Sequence, residues 1–265
     1  LPFHFNTKIG VEPKLRFYSA VLKEWNGQRS DHPVIMDEIT VVNKKYADSI
    51  VVKREDVEDD QYGNYGLAME QLGIAAAQLP DQLIWPLLAK GDTTLCWDKQ
   101  YFFDDDHPWV DATGKSASIS NFQRGTSPMW ILADLSQEVR KPIILQRRTP
   151  PEFVSRVRPD DPSVFDLDEY KYGVRMRIGV NFGLWQYCYA SKAALTAANY
   201  KAAFAALEGM RKADGSPLGV RPTHLIVPPT LRDEAARLVQ VPFETSLNTN
   251  PWANSAKLVV EPYFG

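Results

Sequence analysis

The densest group of side chains able to hold a metal or move a proton is Asp104-Asp105-Asp106-His107. Carboxylates beside an imidazole would suit a hard divalent cation, and a hydrolase activating water on that ion is one reading of them. The spacing is not that of an EF-hand loop, and no second histidine-bearing helix completes a ligand set. The ordinary reading is a solvated acidic loop. His4, His32, His107 and His224 stand singly, and a lone histidine near a strand is more often packed than catalytic. Phosphate loops, dinucleotide glycine patterns, nucleophile elbows and paired-histidine zinc helices do not occur in the sequence. The expectation is a protein with no catalytic residue, no metal and no cofactor.

Charge points elsewhere. Arg140, Lys141, Arg147, Arg148, Arg156 and Arg158 form the most basic stretch, followed closely by Asp160, Asp161, Asp166, Asp168 and Glu169. Such a stretch would touch phosphates, lie solvated, or meet the opposite charges of an identical subunit. With a net charge of −3 over 265 residues there is no global basic footprint, so any contact with nucleic acid is local. Cys96 and Cys188 fit neither a zinc spacing nor a disulfide framework and read as buried thiols in a reducing compartment. The opening Leu1-Pro2-Phe3-His4 has no signal-peptide layout, and no window approaches the ~18 apolar residues of a membrane span; synthesis in the cytoplasm and no membrane partner are expected.

Hydrophobic residues make up 44% and charged residues 24%, enough for a sizeable core in one large domain or two modest ones. No repeat of fixed period occurs. Residues 8–36 scatter Lys14, Arg16, Lys23, Trp25 and Arg29 without a period, as in an extended arm or loop. Residues 37–54 alternate Ile39, Val41, Ile50 and Val52 with polar positions around Asn43-Lys44-Lys45, predicting a β-hairpin. The acidic run Glu55 to Asp60 and a cap at Asn64 predict a long helix from Leu67, kinked at Pro80, continuing towards Lys90 and stopping at Gly91. Residues 98–128 read as a long surface loop, and 147–168 as mostly irregular. Trp130–Ala133 and Pro142–Leu145 are short strand candidates. Tyr172 to Tyr189 alternates so clearly that it predicts one long twisted strand or a broken pair, with Gly173, Gly179 and Gly183 allowing bends. Thr196 opens a helix to about Arg211, His224–Val227 is a strand, Thr230 with Asp233 predicts a capping box, and Leu258–Val260 is a final strand.

Specific strings then carry a resemblance. Val41 through Ile50 and Val52 through Gly63 are similar to the hairpin and helix-entry region of Mu-like phage major head subunits. Phe102 through Pro108, Pro142 through Arg148 with Pro151 to Val154, Tyr172 to Arg175 and Phe182 to Gln186, Pro217 to Pro222 with Val227 to Pro229, and Asn250-Pro251-Trp252 with Leu258 to Val260 resemble that family in the same order. The resemblance implies an α+β Hong Kong 97-like capsid fold, with a peripheral domain of long spine helix and elongated antiparallel sheet, an axial domain and an extended loop. It divides the chain into an N-terminal remnant and loop (1–53), spine helix (54–92), joining surface loop (93–129), peripheral sheet (130–190) and axial domain (191–265). The implied function is a major capsid protein assembling into hexamers and pentamers of an icosahedral shell around double-stranded DNA bound non-specifically. Portal, scaffold or protease, and decoration proteins are the implied partners, with assembly in the bacterial cytoplasm. An encapsulin-like compartment shell is the alternative within the same fold. Residues expected at subunit contacts are Lys14, Arg16, Trp25 and Arg29, the carboxylates Asp56, Glu58 and Asp59, and Arg147, Arg148, Asp160 and Asp161.

Overall fold

A computed structural model describes residues 9–15, 36–59, 64–111, 113, 115–137, 140–212, 214–245 and 248–264. In chain order the elements are β1 (Ile9–Leu15), β2 (Met36–Val42), β3 (Lys44–Lys53), α1 (Arg54–Glu58), α2 (Asn64–Ala89), β4 (His107–Val110), β5 (Ser116–Ile119), β6 (Phe122–Gln123) and β7 (Trp130–Ala133). They continue with β8 (Ile143–Arg156), α3 (Pro162–Leu167), β9 (Glu169–Phe182), β10 (Cys188–Ser191), α4 (Ala197–Glu208), β11 (His224–Val227), α5 (Arg232–Val239), β12 (Phe243–Thr245), β13 (Asn248–Thr249) and β14 (Lys257–Val260). No helix among the described residues is long and apolar enough to cross a membrane. The chain divides into two compact units, the first built mainly from Val41–Ile84 and Leu145–Val180, the second mainly from Trp85–Ile144 and Asn181–Gly265.

The core of the first unit follows from the alternation of β9. Val174, Met176 and Ile178 share one face and bury against Leu72 and Ala76 of α2, with Leu79 and Leu83 packed alongside. Because so little of α2 is charged, that burial holds the helix. It is one continuous helix through Pro80 with no restart at Asp81, the proline forfeiting one backbone bond while Leu79 and Leu83 on either side pack on the sheet. β9 lies between β3 and β8, and its ladder with β3 runs without interruption from Lys44↔Ile178 to Lys53↔Glu169. Gly173 therefore marks no bulge. Gly179 serves a close approach instead, since a Cβ there would sit 2.7 Å from the Val42 carbonyl oxygen.

Residues 98–128, expected as a long surface loop, contain β4, β5 and β6 and bury Phe102, Phe103, His107 and Asn121. The segment 37–54 is not a hairpin: β2 pairs with β1, and β3 pairs with β9, so alternation was read correctly but the partners lie elsewhere in the chain. Residues 147–168, expected to be irregular, contain most of β8 and then α3. β8 occupies the edge of its sheet, the position in which Pro150, Pro151 and a run of charged residues are tolerated.

The second unit is a five-stranded sheet in the order β14-β11-β7-β10-β6. All four residues of β7, Trp130–Ala133, are buried, as a central strand requires. α4 lies against β10 and α5 against β14. Thr196 caps α4 by accepting the Asn199 backbone N–H at 3.3 Å, and Tyr200, Ala203 and Leu207 form its buried face. The long strand expected from Tyr172 to Tyr189 is the broken alternative: β9 ends at Phe182, and β10 belongs to the second unit's sheet. The Thr230–Asp233 box does not form; Pro229–Leu231 is a single 3-10 turn, and α5 starts after it without a side-chain cap.

Candidate functional site

The acidic run once weighed as a metal site is a structural corner. Asp104, Asp105 and Asp106 bring one oxygen each within 4.8 Å of one another. Two of the three are engaged by the protein: Asp104 accepts the backbone N–H groups of Tyr101 and Asp105, and Arg124 grips Asp105 with two nitrogens at 2.7 and 3.0 Å. That guanidinium holds the Asp105 carboxyl down to about 2. Asp104 is buried, which corrects the picture of a wholly solvated loop.

Beneath that corner lies a closed polar network. His107 has no exposed surface; its ring stacks on Trp185 at 3.9 Å and an interplanar angle of 10°. Its Nδ1 lies 2.8 Å from Asp98 and its Nε2 3.2 Å from Asn121 Oδ1. Asn121 Oδ1 also accepts the Asp104 N–H, while Asn121 Nδ2 reaches the carbonyls of Phe102, Trp185 and Cys188. Burial raises the Asp98 pKa, but hydrogen bonds from His107 and from the Cys96 thiol, with the charge of His107, outweigh it and leave the carboxyl below its usual value. These bonds hold Leu95–Asn121 to the β10 end of the sheet. Sequence reading placed His107 in a loop because Asp98, Asn121 and Trp185 are too scattered to form a pattern.

The residues expected at subunit contacts gather differently. Lys53↔Glu169 pairing places α1, which follows β3, at the same end of the three-stranded sheet as α3, which precedes β9. The Arg54 backbone N–H donates to the Asp168 carbonyl at 2.9 Å, and its guanidinium pairs with Glu58 at 2.8 Å. Asp56, Glu58 and Asp59 are exposed there. Asp160 is exposed, and Asp161, half-buried, opens α3 and accepts the Arg158 N–H at 3.0 Å. Arg147 and Arg148 sit half-buried within β8, away from this end, and Arg148 is already engaged within the chain. The side chain of Lys14, in β1, and the whole of Arg16, Trp25 and Arg29 lie outside the described residues.

The sequence reading missed the apolar residues at this sheet end. Phe165 is 83% exposed, Leu167 61%, and Phe153 and Val154 59% each. Residues 153–160 are all exposed, so both faces of the β8 terminus are bare. A shallow apolar groove of about 160 Å³ also opens in the first unit, lined by Tyr46, Ala76, Leu79, Val174 and Met176.

A long helix against an elongated three-stranded sheet, with a five-stranded sheet in the second unit, is the architecture of a phage capsid subunit of the Hong Kong 97 type. The procapsid protein of bacteriophage JBD30 superposes with a TM-score of 0.81 at 36% identity, covering 99% of this chain and 88% of that one. The JBD30 capsid gives 0.84 at 25% identity over the same shares. The Mu-like prophage FluMu major head subunit of Haemophilus influenzae is 38% identical over 227 residues, 83% of this chain and 73% of that protein. The major capsid protein of Escherichia phage Mu is 35% identical over 252 residues, 91% and 82% of the two chains. The family model described as Mu-like prophage major head subunit gpT matches residues 18–264. The chain belongs to that family and is a major capsid protein of a phage head shell.

Proposed function

We propose that many copies of this chain join as hexamers and pentamers that close into an icosahedral shell around double-stranded DNA. The observation that carries this is family membership over nearly the whole chain. We take 1–53 as the extended loop and 54–92 as the spine helix, with β3, β8 and β9 as the peripheral sheet and the second unit's five-stranded sheet, which includes β7 and β10, as the axial domain. The loop of one copy would lap its neighbour, bringing Lys14, Arg16, Trp25 and Arg29 against Asp56, Glu58 and Asp59, with Arg147, Arg148, Asp160 and Asp161 forming further contacts. The protein works without turnover: binding energy between copies replaces chemistry. DNA is held without sequence preference, as the net charge of −3 offers only local cationic surface. Assembly belongs in the bacterial cytoplasm, with portal, scaffold or protease, and decoration proteins as partners. Negative-stain microscopy of the purified chain at high concentration tests the reading: shells, tubes or rings are expected, and a stable small monomer would reject it.

A further inference from the structure

We infer that the end of the five-stranded sheet at which β11 and β14 begin holds the phosphate backbone of duplex DNA, through Lys141, Arg221, His224 and Lys257. The inference rests on the shell-forming reading, which encloses DNA, and names a contact surface that reading leaves unassigned.

Strand pairing brings the four basic residues to one place. β11 and β14 run parallel, so their first residues, His224 and Lys257, are register partners, and His224 also pairs with Ala133 at the close of β7. The Lys257 N–H donates to the Thr223 carbonyl at 2.8 Å, and the Thr223 N–H to the Ala133 carbonyl at 2.9 Å. Beyond Ala133 the chain stays at this end, where the Lys141 ammonium donates to the Leu135 carbonyl at 2.7 Å. The Arg221 N–H donates to Asp134 at 2.9 Å, which fixes the approach to β11 there as well. Arg221 and Lys257 are exposed, and Lys141 and His224 are half-buried.

The charge gathered here is not cancelled. Asp134 is buried, and its oxygens accept from the Ser136 N–H and hydroxyl and from the Arg221 N–H. Glu138, the other acid between Ala133 and Lys141, lies outside the described residues. Among the described residues no carboxylate forms an ion pair with Lys141, Arg221 or Lys257. His224 registers the result. Burial first, then Lys257 and Lys141, push its ring below the usual value, and Asp134 opposes them less. The Thr223 hydroxyl engages its Nδ1 at 2.8 Å, leaving Nε2 to meet an anion.

Duplex DNA fits this surface better than a second protein does. Interfaces between proteins are centred on aromatic and apolar anchors. Among the described residues of 130–142, 219–224 and 255–258 no large apolar side chain is exposed. Lysine and arginine gathered without such an anchor suit a row of phosphates, which is met by charge and hydrogen bonding with no base read. On a chain of net charge −3, one local cationic end holds DNA loosely and without sequence preference.

The experiment measures binding of a fluorescent random-sequence duplex to the purified full chain across a salt series, and images the same samples for shells. Arg221→Gln combined with Lys257→Gln should weaken binding on the order of tenfold at low salt and lower the slope of log K against log salt by about 2. Lys44→Gln combined with Lys45→Gln removes the same charge from exposed positions of β3 and should change both far less. In the parent chain, followed by NMR, the His224 ring should titrate at higher pH once duplex is added, and inorganic phosphate at equal phosphate concentration should move it far less. That response needs no variant, so it decides the matter even where a substitution unfolds the chain. Equal losses from the two pairs of substitutions, or none from the first, would overturn the contact and leave the shell reading standing where shells form. A His224 response to inorganic phosphate as large as that to duplex would overturn DNA as the occupant. Loss of shells in the first variant with duplex binding unchanged would assign the surface to a neighbouring copy and overturn the contact. Selective loss of duplex binding in that variant, from a parent chain that forms no shells, would support the contact and overturn the shell reading.

Discussion

The polar corner around His107 and the α1–α3 end treat their side chains in opposite ways. In the corner, ionisable and aromatic groups are turned inward until each acceptor has a donor: Asp98 takes His107 and Cys96, and Asn121 reaches three carbonyls. At the sheet end apolar rings are turned outward among carboxylates that outnumber the cations beside them. Residue types that suggest chemistry are serving the fold of one subunit, and residue types that suggest a core are left over for contact with something else. In an assembling protein, function is therefore better sought among misplaced hydrophobic residues than among clustered acids.

Substitutions ranked by their effect on the single subunit sharpen the contrast. Trp185→Ala removes a fully buried ring stacked on His107 and edge-on to Trp109, and should cost about 3 to 5 kcal/mol in denaturant unfolding. Asp98→Asn should cost about 2 kcal/mol, by replacing the charged acceptor of His107 and Cys96. It also carries a pH signature. The folded carboxyl lies below its ordinary 3.8, so its contribution is present above that value and lost as pH falls through the lowered folded value. Melting curves from neutral pH to pH 3 should thus fall less steeply at the acid end for Asp98→Asn than for the parent. Arg124→Ala breaks the bidentate pair to Asp105, but both side chains are well exposed, so thermal unfolding should shift by less than about 1 kcal/mol and less again in high salt. An effect at Arg124 as large as that at Trp185 would erase the distinction between surface corner and buried network.

Local pattern made some elements legible and left others dark. β7 and β11 have the bounds the sequence predicts, because short apolar runs between turn residues carry their own signal. The inward face of β9 and the Thr196 cap were likewise visible, since alternation and capping are properties of neighbouring residues. β8 was hidden by its prolines and arginines, which an edge strand tolerates and a central one does not. The 37–54 hairpin was misread because alternation reports a strand but not its partner, and both true partners are remote in the chain. The sheet-end surface was dark for a further reason. Phe153, Val154, Phe165 and Leu167 look like core residues in sequence, and only their exposure identifies them as something else.

The strand order of the second unit bears on timing. Its middle is made by β7 pairing with β10 and with β11, segments separated by long stretches of chain, and β14 closes one edge from near the last described residues. Nothing in that sheet zips up from a local turn, so loop closure must precede reward and folding is slow, on the order of milliseconds to seconds. During that lag Phe165 and its neighbours are bare while the rest of the subunit is unfinished, a recipe for off-pathway clumping at the concentrations at which a head is built. A newly made subunit would therefore gain from being shielded until its sheet is complete, and the race between folding and premature sticking sets how much of it reaches a shell.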